Sequence, residues 1–274
     1  MRTLPAGATD THLHIYEPGF SLNPLAVSPP EPDAGLASYR AEMGRLGIAR
    51  AVVVQPTAYG TDNSCLLDAV AALGPAGRGV VILPEDITDR QMDLLSAQGV
   101  VGLRCFLLNP GGMMTWDRII GMAPRAAERH WHLDLQFDGR EWPGMEARVR
   151  DLPGKLVIDH CGKFLVPPDP DGPEMAALLR VLDTGRAWVK LAAPYETSLV
   201  GPPGYDDVSA IARRLVAHAP TRCLWASNWP HPGVRPRPDT ALLLDLLADW
   251  APDAAERETI LVTNPAELYG FPKL

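Results

Sequence analysis

Cysteine is scarce in this chain. Four residues among 274, Cys65, Cys105, Cys161 and Cys223, lie far apart with no Cys-x-x-Cys pair. Such thiols, three of them in apolar strand-like runs, read as small reduced core residues of a cytoplasmic protein rather than a disulfide framework. Basic residues are in deficit: 25 Lys and Arg against 33 Asp and Glu give a formal net charge of -8. Nucleic acid and anionic membrane surfaces both need a basic face, so neither is expected as a partner. No apolar run approaches the roughly 20 residues that span a bilayer. The opening MRTLPAGATDTH also lacks the basic stretch and apolar run of a secretory signal.

Short apolar runs are plentiful, and they alternate with helical periodicity. The runs are Thr9–Tyr16, Arg50–Pro56, Arg78–Pro84, Val100–Phe106, His132–Phe137, Lys155–His160, Ala187–Ala193 and Cys223–Asn228. Between them, stretches such as DNSCLLDAVAALG, DRQMDLLSAQG, PEMAALLRVLD and DDVSAIARRLVAHA place apolar residues three and four apart, as helices do. Asp62 and Thr88 precede two of these patterns and Gly74, Gly99 and Gly185 follow others, as caps should. Eight strand–helix repeats with near-continuous apolar strands predict a parallel sheet closed into a (β/α)8 TIM barrel, one domain over residues 1–274. The competing doubly wound sheet binds ligand at a Gly-rich first turn, and none follows the first run. A last pattern, Asp253–Tyr269, predicts a terminal helix on the barrel wall.

Active sites of such barrels lie at the C-terminal ends of the strands, so those ends can be read in order. The first run ends in Asp10-Thr11-His12-Leu13-His14; His12 and His14, two apart, share one strand face. The second ends near Gln55, the fourth carries Arg104, and the fifth ends at Gln136. The sixth ends at Asp159 and His160, followed by Lys163. The seventh carries Lys190 and runs on to Tyr195 and Glu196, and the eighth ends at Asn228 before Trp229, Pro230 and His231. Arg104 within an apolar run needs an anionic partner wherever it points. Asp159 reads as a group that orients an imidazole. His130, His132 and His218 fall at the opposite end of the barrel and read as structural.

The His-x-His of the first run, the histidine closing the sixth and the Asn-Trp-Pro-His after the eighth resemble the amidohydrolase superfamily over nearly the whole chain. The stretches TDTHLHIYEPGF, VVVQPTAYGTDN, LQFDGREW, IDHCGKF, DGPEMAALL and ASNWPH are similar to its lactone-processing branch. That branch holds 2-pyrone-4,6-dicarboxylate lactonases and D-galactarolactone isomerases. Two-metal members of the superfamily place a lysine or carboxylate on the fourth strand and a histidine on the fifth. Arg104 and Gln136 replace them here, so no bridged metal pair is expected. The branch works without metal; if one divalent ion such as zinc binds, His12, His14 and His160 are the expected ligands.

The resemblance implies acyl transfer on a small carboxylated sugar lactone. His12, His14, His160 and Asn228 are the expected catalytic set, with the imidazoles donating to the carbonyl oxygen. Arg104, Gln136, Tyr195, Gln55, Lys163 and His231 are the expected substrate-binding residues. Lactonases carry an aspartate base at the strand-eight tip, whereas the isomerases carry asparagine, as at Asn228. Gln136 and the Pro194–Thr197 stretch also depart from the lactonase pattern for a second carboxylate. With no carboxylate at the tip to activate water, 1,5- to 1,4-lactone isomerisation is expected, lactone hydrolysis second, and a zinc-dependent decarboxylase third. A catalytically silent binding barrel is the remaining reading. Oligomeric state and the role of the Pro-rich loop at residues 22–35 stay open.

Overall fold

In the computed structural model, which describes residues 4–27, 29–109 and 112–272, eight parallel strands form one sheet in the order β1 to β8. They are β1 Thr9–Leu13, β2 Arg50–Val54, β3 Gly77–Val81, β4 Val100–Phe106, β5 His132–Gln136, β6 Lys155–Ile158, β7 Ala187–Leu191 and β8 Cys223–Trp225. Each matches an expected run. β4 agrees at both ends, while several others stop two or three residues sooner than their apolar sequence does, because the chain turns out of the sheet to build the mouth. Strand residues are almost all buried, as a sheet with side chains packed on both faces requires.

Helices follow the strands. The first seven are α1 Leu36–Leu46, α2 Ser64–Leu73, α3 Asp89–Ala97, α4 Trp116–Glu128, α5 Trp142–Asp151, α6 Pro173–Leu182 and α7 Asp206–His218. Thr88 closes a capping box with Gln91 at the start of α3, satisfying two donors that a helix start otherwise leaves bare. Asp62 acts one step out of place: its carboxylate accepts from Ser64 N, while Asn63 holds the cap position. After β8 come α8 Thr240–Asp245, α9 Leu247–Trp250 and α10 Ala254–Glu258, then a π-helical turn Thr259–Thr263 and α11 Asn264–Tyr269. The expected terminal helix is therefore broken by one wider turn. Ser28 of the Pro-rich loop falls outside the described residues.

The barrel closes at a polar seam. Leu13 bridges Trp229, Asn228 N donates to His12 O at 2.8 Å, and His14 N donates to Trp229 O at 2.8 Å. Asp10 lies at the heart of this seam. Its Oδ1 accepts from Ser227 N at 2.9 Å, and its Oδ2 accepts from Ser227 Oγ at 2.5 Å and Tyr39 Oη at 2.9 Å. Burial outweighs these bonds and lifts its pKa to about 6. Asp10 is thus a fastener between the first strand and the last. All four cysteines are free and buried, and among the described residues no helix is long and apolar enough to cross a membrane.

Candidate active site

A cavity of about 460 Å³ opens at the C-terminal ends of the strands, lined among others by His14, Arg104, Gln136, His160, Lys163, Tyr195, Glu196 and Asn228. Residues on the strand-end loops around it leave the sheet with positive φ: His160 (49°), Cys161 (54°), Lys163 (49°), Ala193 (49°) and Asn228 (55°). Left-handed backbone is costly for side chains other than Gly, Asn and Asp, and it gathers where a site over-determines the chain. Asn228 is the residue of this group that tolerates it best. One glycine is needed for space: a Cβ on Gly139 would stand 2.4 Å from Gly162 O, so the loops after β5 and β6 touch backbone to backbone and hold Lys163 at the rim.

His12, His14 and His160 come together, with ring centroids of His12 4.9 Å from His14 and 5.0 Å from His160. Their duties differ from the expected three donors. His14 Nδ1 donates to Val54 O at 2.7 Å, so the neutral ring has only an acceptor at Nε2. Burial and the charge of Arg104 push its pKa down to about 3, which keeps it neutral. His12 is fully buried and does not line the cavity; its Nε2 stands 3.3 Å from His14 Nε2. The expectation of direct contact between His12 and a substrate is therefore corrected: His12 supports His14 from beneath. His160 does line the cavity, its Nδ1 has no partner among the described residues, and burial brings its pKa to about 4 against the opposing pull of Glu196 and Asp159.

Beneath the imidazoles lies a buried charge cluster. Lys190 Nζ donates to Asp134 Oδ2 at 2.5 Å and to His12 Nδ1 at 3.0 Å, and it pairs with Asp159 Oδ1 at 3.0 Å. Three N–H donors meet three acceptors. This assignment puts the His12 proton on Nε2, where it donates to His14 Nε2, and passes the His14 proton to Val54 O. The opposite tautomer, donating from Nδ1 to Asp159 Oδ1 at 3.1 Å, would face two lone pairs at the Nε2 contact. Burial and the neighbouring Asp159 raise the pKa of Asp134; at Asp159 burial pulls the same way, but Lys190, His12 and His160 together outweigh it and hold the carboxyl well below the usual carboxylate range.

The same ammonium decides how well a metal would fit. The ligand atoms lying within 4.8 Å of one another belong to His12, Asp159 and His160, not to His12, His14 and His160. Lys190 already holds His12 Nδ1 and Asp159 Oδ1, two of these three. A divalent ion at this set would sit against a fixed positive charge, so the donor set does not suit one.

Around the rim, Arg104 Nη1 donates to Gln55 O at 2.6 Å and Nη2 to Gln136 Oε1 at 3.2 Å, leaving its Nε without a partner among the described residues. Gln55 itself does not reach the cavity. Its side chain donates to Gly60 O and Asp62 O, tying the β2–α2 turn, and its expected substrate contact is corrected to that role. His231 likewise stands behind the wall, with Tyr195 Oη at 2.9 Å from Nδ1 and Thr240 Oγ1 at 3.0 Å from Nε2. It braces Tyr195 rather than touching the cavity. Asn228 Nδ2 donates to Tyr195 Oη at 3.0 Å and to Glu196 Oε1 at 2.9 Å.

Glu196 is the residue that sequence reasoning passed over. Its carboxylate lines the cavity and pairs with Lys163 through Oε2. Burial raises its pKa, but Lys163, His160 and the bonds from Lys163 and Asn228 outweigh that and bring it to about 2. The signal was a charged residue three positions past the apolar run Ala187–Ala193. The mouth is roofed by two loops that meet at Glu31, which accepts from Gly233 N at 2.7 Å and Arg235 Nη2 at 2.5 Å. Val27 of the Pro-rich loop lines the same cavity as Pro232 and Val234 of the loop after β8.

A parallel (β/α)8 barrel with acid–base and carboxylate-binding side chains gathered at its strand ends has the architecture of a barrel enzyme. Residues 9–271 match the family described as Amidohydrolase, and the chain belongs to that family. It is 40% identical to a D-galactarolactone isomerase of Agrobacterium fabrum over 97% of this chain and 91% of that protein. It is 35% identical to a 2-pyrone-4,6-dicarboxylate hydrolase of Comamonas testosteroni, with the same coverage. A crystal structure of an Agrobacterium tumefaciens protein superposes with a TM-score of 0.93 at 39% identity, covering 99% of this chain and 98% of that one.

Proposed function

We propose that this chain isomerises a small carboxylated sugar lactone from the 1,5 to the 1,4 form, moving the C1 acyl group from the C5 oxygen to the C4 oxygen. The carrying observation is the state of the carboxylate at the mouth. Glu196 is paired with Lys163 on one oxygen and bound by Asn228 on the other, with its pKa held at about 2. A base so far below the working pH extracts a proton from water poorly. A hydroxyl on the substrate itself needs less help, because a tethered nucleophile reaches an effective molarity of about 10⁵ M or more.

In this reading the neutral His160 ring, beside Asp159 and Glu196, takes the proton of the attacking hydroxyl as its oxygen bonds to the carbonyl carbon. It returns the proton to the ring oxygen as the old ester bond breaks, so no proton is consumed. Arg104 holds the substrate carboxylate with its remaining N–H groups. Gln136, Asn109 and Tyr195, all lining the cavity, orient hydroxyls. The name of the 40% identical relative favours the same chemistry.

Hydrolysis is the second reading. It is favoured by the presence of any carboxylate in the cavity and by the 35% identical relative named as a hydrolase. The two separate in ¹⁸O-water with aldaric acid monolactones, ring size being followed by NMR. Early label in the product carboxylate refutes isomerisation as the primary reaction. The chemistry is read as metal-free; one tightly held zinc per chain after purification without added metal would overturn that and revive the zinc-dependent decarboxylase.

A further inference from the structure

The cavity carries seven ionisable side chains: His14, Tyr16, Arg104, His160, Lys163, Tyr195 and Glu196. Burial keeps both imidazoles neutral near pH 7 and the Tyr16 and Tyr195 phenols protonated. Three charges remain, and two of them cancel, since Lys163 and Glu196 form an ion pair with side chains 8% and 22% exposed. Arg104 is the lining cation that has no carboxylate partner among the described residues; its named acceptors are a backbone carbonyl and an amide. The Asn228 amide stands on the far oxygen of Glu196, fixing the carboxylate in place.

We infer that the Lys163–Glu196 pair is a specificity device that limits the substrate to one carboxylate group, held by Arg104. A second carboxylate entering the cavity would compete with Glu196 for Lys163 and face its negative charge across a partly desolvated gap. Hydroxyls meet the opposite reception, because Glu196 has lone pairs to accept from them and Lys163 has N–H groups to offer. The favoured ligand is therefore a hydroxyl-rich ring with a single negative charge. Dianionic lactones are turned away by repulsion, a form of selection that acts against the wrong partner. The inference deepens the lactone reading above and rests on it for the identity of the ring.

The test uses probes without an ester, so that binding is read apart from turnover. Calorimetric affinities of benzoate and of isophthalate, the same ring with a second carboxylate, are measured for the intact protein, Glu196→Gln and Lys163→Met. The wild type is expected to bind benzoate at least as tightly as isophthalate. Glu196→Gln keeps the shape and the acceptor for Asn228 but frees the ammonium. Isophthalate should then tighten at least tenfold, or 1.4 kcal/mol, with benzoate changing less than threefold. Lys163→Met leaves Glu196 unpaired and should weaken isophthalate at least tenfold, which decides the matter if the Gln variant does not fold. Tighter binding of isophthalate than benzoate by the wild type, or equal gains for both probes in Glu196→Gln, would overturn the inference. Turnover of aldaric monolactones combined with indifference to the second carboxylate would sink this inference alone. Charge selection without turnover on any such lactone would support it and sink the isomerase reading.

Discussion

Changing Asn228 to Asp tests the electrostatics of the mouth most directly. The amide donates to Tyr195 Oη and to Glu196 Oε1; an aspartate loses both donations and brings a second carboxylate beside the first. The neutral bond is worth about 1 kcal/mol and the charged one about 1.5–3 kcal/mol. Two like charges about 4 Å apart at an effective dielectric near 20 repel by up to ~4 kcal/mol, which sharing one proton relieves. The variant should therefore unfold about 4–6 kcal/mol more easily at pH 8, the missing bonds plus the unrelieved part of the repulsion. Sharing a proton raises an apparent pKa of the pair above the unfolded carboxylate value, so the repulsive part is present above that pKa and recedes as pH falls through it. At pH 5 the loss should shrink to about 2.5–4 kcal/mol, the share of the missing bonds. Asn228→Ala loses the bonds without adding charge, and its deficit should be alike at both pH values. Urea unfolding with m-values unchanged from wild type reads all three proteins. The carboxylate pair is also a stronger base than Glu196 alone, so ¹⁸O incorporation from water should rise at least tenfold relative to isomerisation. A stability deficit that does not vary with pH, together with an unaltered product ratio, would refute the account of Glu196 as a neutralised base.

Three further outcomes are expected. Lys190→Met leaves Asp134 and Asp159 buried without their counter-ion and should cost about 3–5 kcal/mol of stability, partly regained in acid as the carboxylates take protons; thermal melts at pH 5 and 8 check this. Gln55→Ala removes two bonds within a turn and should lower stability by about 1–3 kcal/mol while KM changes less than twofold, since the side chain faces away from the cavity. His12, His14, His132, His160 and His231 all have folded pKa values pushed below the free imidazole value, chiefly by burial. Their neutral forms stabilise the fold fully above about pH 6.5, and that contribution is lost as pH falls through about 4 for His160 and His231 and through about 3 for His14 and His132. Denaturation midpoints across this window should drop steeply, and a flat profile would contradict the burial of these rings.

Much of the barrel was legible because strands such as β2 (RAVVV) and β6 (KLVI) are near-continuously apolar, a pattern that survives without knowledge of partners. The strand tips were harder. Ala226, Ser227 and Asn228 continue the composition of β8 yet leave the sheet, since Asp10 and the backbone of His12 pull them across the seam. Residue identity placed His12, Gln55 and His231 at the right end of the barrel, but only coordinates separate a side chain that faces the cavity from one that braces its wall. Glu196 was given no role for a related reason: its usefulness as a base depends on Lys163, 33 positions earlier. The Lys190 cluster was readable in part. Asp134 and Lys190 interrupt apolar strands, and buried charges require one another; which of them would meet could not be known before the strand register.

The seam has a consequence for how the protein must be made. Asp10, His12 and His14 are translated more than 210 residues ahead of Ser227, Asn228 and Trp229, which complete their hydrogen bonds. β2 covers one edge of the first strand early, but the other edge and the wall behind the imidazoles wait for β8 and the segment after it. Chemical competence therefore arrives late and all at once, when that segment docks.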